Sequence, residues 1–346
     1  MALALVHMDG FDEYNTAQMT RHWTDKPSAN TSISSGNGRN GGNCLLINAL
    51  AGSARYVGLT LAAASSWMAS FAFRYGTAPS TLTDVILGFL DTATSHIELR
   101  LKPGGVLSLS RNGTELANSG AFAMSPATYY HVVVAATVAD APDGKYDVWV
   151  DGTKRLTGTG ADTRNAGNAS ANVIRLGNYL TPAGDGANFD YDDLGVWSGP
   201  SYTDADYPGD CRVFTDLPTG DGNHTAWAAS AGADYACVDE NPATDDTDYI
   251  STSTANDIGT FTFPTISGSG TVRGVMGVVT DRMDDAGPRS IAVTARANAT
   301  DVVGATQAVS ATYVAHRQIF VDEPGGSGWA ALSDVNAAEL GVKLIA

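Results

Sequence analysis

Residues 129–156 read YYHVVVAATVADAPDGKYDVWVDGTKRL, and two strands joined by a polar turn are legible in them. The first, Tyr130–Val138, is dense in β-branched residues and follows a paired aromatic. In the second, Lys145–Val150, Tyr146, Val148 and Val150 alternate with Asp147 and Trp149, which sends the two sets to opposite faces. Asp151-Gly152 then supplies a tight turn, because glycine accepts positive φ at little steric cost.

Runs of the same kind continue on both sides. Upstream they are His7–Phe11, Cys44–Asn48, Tyr56–Leu61, Trp67–Tyr75, Val85–Asp91, His96–Leu101 and Val106–Arg111. Downstream come Asn172–Leu176 and Asp192–Trp197. Turn dipeptides such as Pro103-Gly104 and Asn112-Gly113 separate them, and no window of helical period is sustained. Short strands so spaced predict an all-β sandwich or jelly roll, not a βαβ fold.

At 346 residues with 43% hydrophobic content and 38 glycines, the chain has room for two β domains, each with its own core. The expected division is residues 1–199, a linker over 200–209 whose stretch Pro200–Pro208 is flanked by Gly199 and Gly209, and an acidic β domain over 210–346. In the last part, strands are expected at Gly259–Phe263, Thr271–Thr280, Arg289–Thr300, Ser310–Val321 and Val342–Ile345. A short helical turn is expected after a Ser333/Asp334 cap signal.

Net charge is −17, with no basic face to neutralise phosphates, so nucleic acid is not an expected partner. No segment approaches the roughly 18–20 apolar residues of a membrane span. MALALVHMDGF reaches Asp9 before an apolar core forms and is not expected to be a secretory signal. Cys44, Cys211 and Cys237 are too few and too widely spaced for a disulfide framework or a zinc site. Free thiols are expected, with a Cys211–Cys237 bridge as the alternative.

The W-V-D-G ending of the central pair, the early strand SWMASFAFRYG, the hairpin HIELRLKPGGVLSLSRNG and the closing FDYDDLGVWSG occur in a telling order. Together they resemble a laminin-G-like or pentraxin-like sandwich of the concanavalin-A-like lectin/glucanase superfamily. The closing pattern is matched by Asp192, Asp193, Leu194 and Val196, and the resemblance implies that this strand pairs beside the first. DCRVFTDLPTGDG, WAASAGADYACVDE, DDTDYIS, MDDAGPRSIAVTAR and GWAALSDVNAAELGVKL resemble a C-terminal module of tailed-bacteriophage structural proteins. That second resemblance implies a non-enzymatic virion component made in a host cytoplasm, with other virion proteins and further copies of itself as partners. The alternative is an adhesin whose first domain binds a host-surface glycan.

The superfamily's glucanases place acid pairs on one strand as E-x-D-x-E, since period 2 aims alternate side chains into one groove. No such run occurs, and Glu13, Glu98 and Glu115 are scattered, so a polysaccharide hydrolase ranks last. Thr219–Trp227 looks like an imperfect sialidase Asp-box and reads more simply as a turn with an aromatic anchor. No cofactor is required by any motif. Calcium is the candidate ion, by resemblance to laminin-G-like domains and by the oxygen preference of the ion. Its candidate ligands are Asp185, Asp190 and Asp192, or Asp239, Asp245, Asp246 and Asp248. For stacking on a sugar or at an interface the candidates are Trp149, Tyr179 and Trp23.

Overall fold

The computed structural model describes residues 3–25, 30–48, 54–165, 167–179, 187–285 and 287–346. The chain forms two compact units, Met1–Phe214 and Thr215–Ala346. Both are all-β, as the sequence leads one to expect.

Strands of the first unit are β1 (Ala4–Asp9), β2 (Thr31–Ser34), β3 (Cys44–Ile47), β4 (Arg55–Ala64), β5 (Ser66–Tyr75), β6 (Asp84–Asp91) and β7 (Thr94–Leu101). They continue as β8 (Val106–Arg111), β9 (Thr114–Ala123), β10 (Tyr130–Thr137), β11 (Gly144–Val150), β12 (Thr153–Ala161), β13 (Ala171–Asn178) and β14 (Phe189–Gly199). Among the described residues of this unit the short helix α1 (Met19–His22) and the 3-10 turns Pro103–Gly105 and Asp204–Asp206 accompany them. One sheet runs β12-β11-β10-β5-β14-β3-β2, with β1 beside β14; the other runs β4-β13-β6-β7-β8-β9. All pairings are antiparallel, and β1 lies against β14 with Leu5 opposite Trp197.

The decisive hairpin forms as expected. Val132 faces Val150 and Ala136 faces Tyr146. In the next turn, from β11 to β12, Asp151 and Gly152 take φ of 46° and 76°, so both central residues sit in the left-handed region. Tyr146, Val148 and Val150 enter the core between the sheets, where Phe71, Phe73, Phe89, Phe189 and Tyr191 are fully buried. Phe73 lies 5.3 Å from both Phe189 and Tyr191, ring centre to ring centre. Each such ring contributes roughly 1.5–3 kcal/mol through burial.

At one end of this core Arg55 and Asp84 form an ion pair of 3.2 Å with both side chains fully buried. Asn178 also donates to Asp84 (2.8 Å), and Arg55 donates to the carbonyls of Asn48 and Ala187, both at 3.0 Å. Residues 200–214, including the expected linker, pack against the outer face of the larger sheet. The Tyr202 hydroxyl donates to Asp147 (3.1 Å), and the Val213 amide donates to Asp193 (2.9 Å).

The second unit holds β15 (Gly220–Thr225), β16 (Ala228–Ala229), β17 (Ile250–Ser251), β18 (Ile258–Thr262), β19 (Val275–Asp281) and β20 (Ser290–Ala297). β21 (Thr300–Val303), β22 (Gln307–Ala308), β23 (Val314–Phe320), α2 (Leu332–Asn336) and β24 (Glu339–Leu344) complete it. Its main sheet is β15-β18-β24-β20-β21, with β22 also on β20; β19 and β23 pair separately. Val293, Ala295, Phe320 and Trp329 form its core. The Asp-box-like segment is strand β15, not a turn, and the helix cap comes from Asp334, whose carboxylate accepts from the Ala331 amide (2.9 Å). Cys44, Cys211 and Cys237 are all free, so the alternative bridge is not made. Among the described residues no helix is long and apolar enough to cross a membrane.

Candidate functional site

Alternation in the smaller sheet turns one row of residues away from the core. Ile174 and Leu176 point inward, so Arg175 between them points out; Ile97 and Leu99 do the same for Glu98. Register aligns the row. Arg175 of β13 sits opposite Gly58 of β4 and Gly88 of β6, and Gly88 sits opposite Glu98 of β7. With a glycine on each side of Arg175, larger groups can lie flat on the sheet.

Tyr179 takes the space over Gly88. A Cβ added at Gly88 would stand 2.7 Å from the Tyr179 Cε1 and Cζ and closer still to its hydroxyl. That hydroxyl shares a hydrogen bond with Ser95 (2.9 Å) and donates to Glu98 (3.4 Å). Over Gly58 lies Asp25, whose Cβ would be 3.2 Å from an added Cβ there. Asp25 accepts from the Tyr56 hydroxyl (3.0 Å) and from Arg175 (3.2 Å). The Arg175 guanidinium stands 4.5 Å from the Tyr56 ring centre and 5.5 Å from that of Tyr179, while the two rings meet edge-on at 6.2 Å. Cation–π contacts of this kind are worth about 0.5–1 kcal/mol each.

The electrostatics of this patch set its chemistry. Glu98 is fully buried, ion-paired with Arg100, and accepts from the Gly113 amide (3.0 Å). Burial, with the Glu98 charge adding to it, holds the Tyr179 phenol well above its usual range. Burial also raises Tyr56, outweighing the opposing effect of Arg175. Both phenols are therefore protonated at neutral pH. Arg175 keeps 16% of its side chain exposed and Asp25 keeps 44%, while the Arg175 Nε itself is buried.

Of the sequence candidates, only Tyr179 belongs here. Trp23 is 3% exposed, stacks on Phe11 with ring centres 6.1 Å apart and donates to the Tyr14 hydroxyl (2.9 Å), which makes it core. Trp149 faces outward on the larger sheet as its alternation requires. It is covered by Tyr207 of the same chain at 5.2 Å. Asp190 accepts from Arg74 (2.7 Å). Asp192 accepts from the amides of Arg39 (2.7 Å) and Asp193 (2.8 Å), and burial foremost, then the Asp193 charge, raises its carboxyl to about 7. Asp185 lies outside the described residues. Asp246 is bound to Arg282 (2.6 Å) and Tyr313 (2.8 Å). Among the described residues no three His, Cys, Asp or Glu side chains, including Asp239, Asp245 and Asp248, gather as metal ligands. Sequence reading missed Tyr56, Arg175, Asp25 and the site role of Glu98. The available signal was a charge between two aliphatics in each of I-R-L and I-E-L.

No family model and no curated protein matches the chain. Solved structures similar to it include an endo-β-1,4-glucuronan lyase from the fungus Trichoderma reesei, at 14% identity and TM-score 0.41, covering 51% of this chain and 91% of that one. The alginate lyase Aly36B is 12% identical with TM-score 0.40, covering 56% and 96% respectively. The cellulose-induced protein Cip1 is 14% identical with TM-score 0.42, covering 57% and 100%. Likeness at this level assigns the chain no activity, and the β-sandwich is established by the sheets themselves. The comparison does correct one expectation. The reading as a non-enzymatic virion structural protein finds no phage module to support it, and polysaccharide lyases stand where virion parts were expected. The first unit is a β-sandwich of two antiparallel sheets.

Proposed function

We propose that this chain degrades an acidic polysaccharide by β-elimination, with the outer face of the six-stranded sheet as its substrate face. The observation that carries the reading is Arg175, set between two glycines, paired with the half-exposed Asp25 and flanked by the phenols of Tyr56 and Tyr179. Elimination from a uronate needs a cation to neutralise the carboxylate, a group to take the ring proton and an acid for the leaving oxygen. Arg175 supplies the first. Asp25, half exposed and bonded to Tyr56, is the proton acceptor in reach, and protonated Tyr179 is the donor. Hydrolysis fits less well, because it needs two working carboxylates about 5–9 Å apart. Glu98 is sealed in and committed to Arg100. Incubation with a panel of polyuronates, followed by ultraviolet absorbance of unsaturated chain ends, tests the reading. New absorbance accompanied by new reducing ends supports it; reducing ends without absorbance would mean hydrolysis and overturn it, as would no cleavage of any polyuronate.

A further inference from the structure

Three Asn-Gly pairs occur in the chain, at 37–38, 40–41 and 112–113. In such a pair the glycine nitrogen can attack the asparagine side-chain amide, because glycine puts no Cβ in the way. The fold treats the three differently. Asn37 donates its side-chain NH2 to Ser34 Oγ (2.8 Å), and its backbone carbonyl accepts from the Tyr129 hydroxyl (2.7 Å). Both bonds fix the residue, and neither draws charge from its side-chain carbonyl. After Asn112, the Gly113 amide donates to the buried Glu98 carboxylate (3.0 Å), so loss of its proton beside that anion is opposed.

Asn40 is held in the opposite sense. Its side-chain Oδ1 accepts from the Arg212 guanidinium at 2.5 Å, a charge-assisted bond that draws electrons from Cγ. Asn40 and Gly41 are both exposed, and no atom lies within 4 Å of where a Gly41 Cβ would stand. The Gly41 amide donates to a neutral acceptor, the Gly38 carbonyl (3.1 Å). We infer that Asn40 is a site of spontaneous deamidation, with Arg212 stabilising the oxyanion that forms on Oδ1. The Gly41 nitrogen bonds to Asn40 Cγ and gives up its proton. The bond from Cγ to the side-chain nitrogen breaks, and ammonia leaves with that proton. Water then opens the cyclic imide at either carbonyl, leaving an aspartyl or isoaspartyl residue at position 40. The product adds one negative charge to the net −17 and places it where Arg212 already points. This chemistry does not rest on the activity proposed for the Arg175 face.

Peptide mapping by mass spectrometry of the full chain, held folded at mildly alkaline pH, tests this. Trypsin cuts after Arg39 and Arg111, so the three sites fall in separate peptides. Position 40 is expected to convert to acid at least about tenfold faster than 37 or 112, as one charged donor to a developing oxyanion supplies that much or more. Arg212→Ala should slow position 40 by about tenfold and leave 37 and 112 unchanged. Unfolding in guanidinium chloride should bring the three rates together, because the dipeptide is common to all. Equal rates in the folded chain overturn the inference. So does an Arg212→Ala variant of native circular dichroism in which position 40 reacts as fast or faster, since the guanidinium would then be a clamp. If that variant fails to fold, the unaltered chain decides. A preference for position 40 that persists undiminished after unfolding would belong to local sequence and overturns the role of Arg212, whereas its loss supports it.

Discussion

Replacing Gly88 with alanine tests whether the site is built by the register of the sheet. The added Cβ would stand 2.7 Å from two ring carbons of Tyr179, well inside contact distance, so the ring has to leave. It then loses its hydrogen bonds to Ser95 and Glu98. Displacement and lost hydrogen bonds together are worth about 2 kcal/mol. For a unit of this size that is a fall in Tm of about 4–8 °C. Thermal unfolding followed by near-ultraviolet circular dichroism reads both the loss of stability and the moved tyrosine. The decisive comparison is a double-mutant cycle. In a Tyr179→Ala background there is no ring to strike, and Gly88→Ala is expected to be neutral within about 0.5 kcal/mol. An equal loss in both backgrounds would refute the placement of Tyr179 over Gly88.

Three further predictions follow from named contacts. Arg55→Ala leaves the buried Asp84 without its neutralising cation, so a loss of about 3–5 kcal/mol is expected in urea unfolding; a loss under 1 kcal/mol would contradict the buried pair. Asp192 titrates near 7 when folded against 3.8 as its ordinary value, so the folded state holds a proton that the unfolded chain releases. Its favourable contribution is complete below pH 3.8 and is lost as pH rises to about 7, at up to about 1.4 kcal/mol per pH unit, and Asp192→Asn should remove that slope in pH-dependent unfolding. The Cys44 thiol, raised to about 12 chiefly by burial and then by Asp190, should alkylate at least about tenfold more slowly than Cys211 in the folded chain; equal labelling would place Cys44 at the surface.

The strands readable in the sequence are those with two apolar sides or a clean alternation, because burial dictates their residues. Val132–Ala136 and the Tyr146/Val148/Val150 set fall where the sequence puts them. In the first unit three strands were not legible. β2 (TSIS) is short and polar, while β9 (TELANSGAFA) and β12 (TKRLTGTGA) lie at the edges of their sheets with most side chains outward. At an edge, packing imposes little on sequence. The site was hidden for another reason. Arg175 joins Gly88 and Glu98 only through the register of β13 against the β6–β7 hairpin, which is distant from it in sequence, and no local spacing encodes that. Trp149 shows the converse. Its orientation was legible from period 2, whereas its cover, Tyr207, reaches it from more than fifty residues away.

Arg175 is the cation of the proposed substrate face. Turnover of a polyuronate by the Arg175→Ala chain, compared with the unaltered chain by absorbance of unsaturated ends, tests that role most directly. Removing the cation that meets the uronate carboxylate should lower kcat/KM by about 100-fold or more while circular dichroism stays native. Undiminished turnover by Arg175→Ala would contradict the assignment of this face as the substrate face.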